Sequence, residues 1–111
     1  MADQIETALA AVEWPEPWFA LADDGAPFLA ELRREVRSGD PLSGPEVRAV
    51  ARRDDRDDVL FMLPNAATPL ALVHLTWSGR PDLHPGFPST VWFTTLTDFL
   101  AHPGVSDDPP V

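Results

Sequence analysis

The stretch LALVHLTW, Leu70 to Trp77, constrains the fold more than any other part of the chain. In an extended strand, successive side chains point to opposite faces. Val73, Leu75 and Trp77 then share one face, while Leu70, Leu72, His74 and Thr76 share the other. Both faces are largely apolar, which predicts a central strand covered on both sides. If helices cover the Val73 face, the Leu70 face needs its own cover from the WPEPWF segment, the C-terminal region or another subunit. Two further strands precede it: Val47 to Arg52, where Val47, Ala49 and Ala51 alternate with Arg48, Val50 and Arg52, and Asp58 to Leu63. Short turn-rich links, DDRD and PNAATP, join the three as an antiparallel meander. TVWFT, 90 to 94, supplies a short fourth strand.

The first part of the chain reads as helical. Ile5, Ala8, Leu9 and Val12 fall on one helical face, which predicts a helix over 3–13. Pro15 and Pro17 stop it and hold 14–19 extended. Asp23, Asp24 and Gly25 before Pro27 then signal a second helix, with Phe28, Leu29, Leu32 and Val36 on one face and an end near Ser38. Leu96 to His102 reads as a closing helical turn. The expected fold is α+β, with two N-terminal helices packed on a three- or four-stranded, mainly antiparallel sheet. Residues 1–103 form the single domain and 104–111 a loose tail. A chain of 111 residues is long enough to bury a core unaided. It contains no cysteine, no run of the roughly 20 apolar residues a membrane span requires, and an acidic start unlike a signal peptide. Those features suit a soluble cytoplasmic protein.

Charge narrows the partners. Eighteen acids oppose eight bases, all arginine, for a net charge of −10. Such a field repels nucleic acid and acidic membranes and attracts basic proteins. The acids crowd at one place in particular, where Asp54, Asp55, Asp57 and Asp58 surround Arg56. In a hairpin loop, aspartates solvate a tight turn, and the same carboxylates can face a basic partner. They do not match a calcium loop, which requires a central glycine and a glutamate at the twelfth position; the residue twelfth from Asp54 is Asn65.

Two other constellations invite chemistry. His74, with Arg48 and Arg52 on a neighbouring strand, can form an anion or substrate site if the register brings them together; otherwise His74 is a structural residue of the sheet. Asp82, His84 and His102 contain metal-ligating side chains at a spacing not specific for zinc, so no metal site is assigned. No phosphate loop, dinucleotide fingerprint or serine-hydrolase elbow occurs, and no motif implies a cofactor. Of the four tryptophans, Trp18 is the expected interface anchor.

ARRDDRDDVLFML together with LALVHLTWSGRPDLHPGFPSTVWF, roughly 49 to 93, resembles small bacterial proteins that share an HLTW-type strand followed by an aromatic after proline. In size and acidity the chain is also similar to the immunity proteins of bacterial toxin systems. That likeness implies a noncatalytic inhibitor whose carboxylates cover a basic active site. An enzyme or anion-binding protein built on His74, and a homodimer paired through the His74 face, are the alternatives.

Overall fold

The computed structural model describes residues 7, 9, 11–14, 18–21, 25–36, 42, 46–53, 57–64, 66–75, 77 and 89–102. At its centre lie β3 (Asp58–Met62) and β4 (Leu70–His74), paired antiparallel from Asp58 opposite His74 to Met62 opposite Leu70. Outside them lie β2 (Arg48–Arg53) against β3 and β5 (Ser89–Phe93) against β4; β1 (Trp18–Ala20) pairs with β2. The order β1-β2-β3-β4-β5 follows the chain, and every pairing is antiparallel.

The central strands divide their side chains between two cores. Val59, Phe61, Ala71 and Val73 face one way and meet Leu32 and Val36 of the segment that includes α1 (Ala26–Glu35). Leu60, Met62, Leu70 and Leu72 face the other and meet Leu96 and Phe99 of α2 (Leu96–Ala101), with Leu9, Val12 and Trp14 at the margin. Phe99 joins that second core together. It is fully buried and stands edge-on to Trp14, Trp18 and Phe93 at centroid distances of 6.2, 5.2 and 5.5 Å, an arrangement that suits the ring quadrupoles.

Local chemistry sets the helix ends. Pro27 occupies the first turn of α1, where a missing N–H costs nothing, and Arg33 and Arg34 occupy the last turn, where cations complement the helix dipole. The chain leaves α1 at Val36, which is extended while its N–H still donates to the Leu32 carbonyl at 3.0 Å. Gly25, at the start of α1, lies so close to β2 that a Cβ there would stand 3.1 Å from the Ala49 carbonyl oxygen. At α2, the Thr95 hydroxyl accepts the Asp98 N–H at 3.1 Å, satisfying one of the donors that a helix start leaves without a partner.

The expected arrangement of two N-terminal helices on a three- or four-stranded sheet is corrected on two counts. The sheet has five strands, and a strand precedes α1. Pro15 and Pro17 lie outside the described residues; the residues after them satisfy their backbone by joining the sheet, where Trp18, Phe19 and Ala20 pair with Arg53, Arg52 and Ala51. Thr7, Leu9 and Ala11 are helical, and Leu9 packs on the α2 side. The cover of the Leu70 face therefore comes from the N-terminal segment and α2 within the same chain. Residues 103–111, including the expected tail, lie outside the described residues.

β2 contains a second departure. Ala49 opposes Phe61 and Ala51 opposes Leu60, so a bulge lies between them at Val50. The extra residue shifts the alternation. Ala49 then joins the α1-side core and Ala51 the α2-side core, and Arg53 is buried at 1% exposure opposite Trp18.

Candidate functional site

The end of the sheet where β2 turns into β3 gathers most of the polar chemistry. Asp54, Asp55 and Arg56 lie outside the described residues. Asp57 is exposed, and its carbonyl accepts the Leu75 N–H at 2.9 Å, which fastens the hairpin to the end of β4. Asp58 and His74 face each other across β3 and β4, with Asp58 Oδ1 2.7 Å from His74 Nδ1. The imidazole side chain is 52% exposed. A carboxylate thus orients His74, in open solvent rather than in a pocket, and ion pairs so exposed contribute little to folding.

The register does not bring His74, Arg48 and Arg52 together. Arg48 opposes Met62 at the far end of the sheet, whereas His74 opposes Asp58. Four residues of strand separate those levels, about 13 Å at 3.3 Å per residue. Arg52 opposes Val59 and so points to the α1 side, away from the face that His74 shares with Leu70 and Leu72. Of the zinc candidates, Asp82 and His84 lie outside the described residues, while His102 is edge-on to Phe93 at 5.3 Å. Among the described residues no group of three or more histidine, aspartate or glutamate side chains gathers as a metal site.

Trp18 lies in the core at 4% exposure against Phe99, so no partner reaches it in this conformation. Among the described residues the exposed aromatics are Trp77 and Phe19, at 44% and 39% exposure. They belong to one cluster. Arg52 Cζ lies over the rings of both Phe19 and Phe28, 5.1 Å from each centroid, and Phe28 is edge-on to Trp77 at 5.7 Å. β1, β2, α1 and the end of β4 each supply one member.

Trp77 is held in an unusual way. Its φ is 58°, the one positive value at a non-glycine residue among those described. In that region Cβ crowds the backbone, at a cost of roughly 1–2 kcal/mol. The Glu35 carboxylate helps to hold it, accepting the Trp77 backbone N–H at 2.8 Å from a side chain that is itself 1% exposed. The indole packs edge-on to Phe28 on the α1 side of the sheet, the side that Val73 and Leu75 share, and stays exposed there. Strict alternation along LALVHLTW places Trp77 on the Val73 face, where Phe28 is its ring neighbour; what alternation does not show is its exposure and its positive φ, for which the following SGRP sequence is the one signal.

No known protein family, curated protein or solved structure matches this chain. Its chemistry rests on its own side chains. A shallow apolar cavity of about 330 Å³, lined by Leu9, Val12, Trp14, Ala20, Leu21 and Val50, brings no polar side chain among them to a reacting centre. The hairpin end is different in kind. It sets exposed aromatic surface and a half-buried guanidinium at the end of the sheet where an acidic sequence joins β2 to β3. Interfaces between proteins share that composition, with aromatic and arginine contacts inside a charged rim.

Proposed function

We propose that the protein is a noncatalytic, acidic protein-binding module that recognises a basic protein, most concretely as an immunity-type inhibitor of a basic toxin. The observation that carries this reading is the exposed, strained Trp77 with Phe19, at the sheet end where the acidic sequence Asp54 to Asp58 joins β2 to β3. A backbone outlier persists where its surroundings over-determine it, and such outliers concentrate at binding and catalytic sites. Here the surroundings are the buried Glu35 acceptor and the Phe28 ring edge. An exposed indole seated on aromatics supplies the desolvated anchor of an interface, and the net charge of −10 supplies the long-range attraction.

The two parts act on different rate constants. Rim charge governs encounter, whereas an apolar anchor governs dissociation. The test is stopped-flow association with a basic candidate partner protein, at low and high salt. Changing Asp54, Asp55, Asp57 and Asp58 together to asparagine is expected to slow association and flatten its salt dependence. Trp77→Ala is expected to speed dissociation about thirtyfold or more, the loss of one hot-spot side chain worth about 2 kcal/mol. Association indifferent to salt and to the aspartates, together with dissociation indifferent to Trp77, overturns the reading.

A further inference from the structure

Arg52 is surrounded by rings in a chain rich in acids. Eighteen carboxylates serve eight arginines, yet among the described residues Arg52 takes part in no ion pair or side-chain hydrogen bond; its interactions are with the faces of Phe19 and Phe28. Aromatic faces satisfy part of the charge through their quadrupole. They leave the in-plane demand unmet, because a guanidinium has five N–H donors arranged as a fork that fits a carboxylate. The side chain is half-buried, so water reaches it less freely than it reaches a surface arginine. It is also positioned in advance, between Phe19 on β1 and Val59 on β3.

We infer that Arg52 is a carboxylate-binding residue, which takes an aspartate or glutamate side chain of the protein partner while Phe19, Phe28 and Trp77 seat the apolar atoms beside that carboxylate. The rest of the molecule decides the source of the carboxylate. A net charge of −10 opposes the approach of free anions, so a small anion arriving alone keeps only part of what the fork contacts supply. A carboxylate carried on a basic, partly apolar body avoids that loss. A partner with one acid in a basic surface therefore meets attraction everywhere and a bidentate contact at a single point, which fixes its orientation. As to the partner's basic character, the inference rests on the function proposed above; as to the chemistry at Arg52, it stands on the cluster alone.

The test uses the native protein and small probes. Arginine Nε–H and tryptophan indole N–H resonances are followed by ¹H–¹⁵N NMR during titration with 3-phenylpropionate, its neutral amide, acetate and inorganic phosphate. The expected result is saturable movement of the Arg52 and Trp77 signals with 3-phenylpropionate, about tenfold tighter than with the amide, the discrimination one charge-assisted contact provides, and tighter than with acetate, which has no apolar group for the aromatic cluster. Arg52→Gln is expected to abolish the difference between acid and amide. Arg52→Lys, which keeps the charge and loses the fork, is expected to weaken it. If Arg52→Gln fails to fold, the comparison of acid with amide on the native protein still decides. Equal binding of acid and amide overturns the inference, as does phosphate or acetate binding as tightly as 3-phenylpropionate. A protein that binds its basic partner but does not distinguish acid from amide keeps the proposed function and loses this site; the opposite pattern keeps the site and loses the partner.

Discussion

Trp77 allows a measurement of backbone strain that needs no partner. At its φ of 58° an alanine still carries the Cβ that crowds the backbone, whereas a glycine does not. Trp77→Ala and Trp77→Gly both delete the indole, so both lose the edge contact with Phe28 at 5.7 Å, and that loss cancels in their comparison. Both also keep the backbone N–H that donates to Glu35. What remains is strain relief of roughly 1–2 kcal/mol in favour of glycine, against about 0.5–1 kcal/mol of extra chain entropy that glycine loses on folding. The glycine variant should be the more stable by about 1 kcal/mol, equivalent to about 4–6 °C in melting temperature for a domain of this size. Urea unfolding followed by circular dichroism, with equal slopes for the two variants, checks the value. An alanine variant as stable as the glycine variant, or more so, would show that Trp77 is not left-handed in solution, and the pre-organised anchor would go with it.

Three further perturbations read other parts of the structure. Phe99→Ala should cost about 3–5 kcal/mol, since Phe99 is fully buried among three aromatic neighbours, and should leave little cooperative transition in a thermal melt; Phe99→Leu should retain one. Gly25→Ala should lower the urea midpoint by an amount equivalent to about 1 kcal/mol and Gly25→Val by more, because the added carbon meets the Ala49 backbone oxygen at 3.1 Å; an unchanged midpoint for both would refute that close approach. His74→Gln should change stability by less than about 1 kcal/mol in the same assay, because the imidazole side of the Asp58 contact is 52% exposed, and a larger loss would mean that the imidazole is buried in solution.

The two apolar faces of β4 were legible from sequence because parity in a strand is read directly from residue identity. That both faces need cover followed from it; which elements supply it did not, since the segment of Leu9 and Val12, expected beside α1, lies with α2 over Leu70. β2 was harder. RAVARR is a clean alternation on paper, and the added residue at the bulge has no mark of its own in composition, so the burial of Arg53 and the direction of Arg52 could not be read from it. Trp18 illustrates a different difficulty. Its Pro-flanked segment suits an exposed anchor equally well, and what decides its burial is Phe99, near the other end of the chain. The cluster around Arg52 combines both problems. It depends on a shifted register, on a strand, helix and loop remote in sequence, and on a positive φ at a tryptophan, a conformation sequence patterns assign first to glycine.

A sheet whose strands follow one another in chain order has no crossover to lock its outermost member. β1 is joined to the rest through three residue pairs and one further backbone hydrogen bond, Leu21 N–H to the Val50 carbonyl, and a strand so placed can detach while the three pairings among β2 to β5 and their cores stay largely formed. Trp18 and Phe19 lie on opposite sides of that short strand, one inserted against Phe99 and the other beneath the guanidinium of Arg52. When β1 peels away, both partners lose a ring at once. Amide hydrogens of residues 18 to 20 should therefore exchange sooner than those of β3 and β4, and any ligand that clamps Arg52 against Phe19 should slow that exchange, making the most labile strand of the sheet the one that reports occupancy.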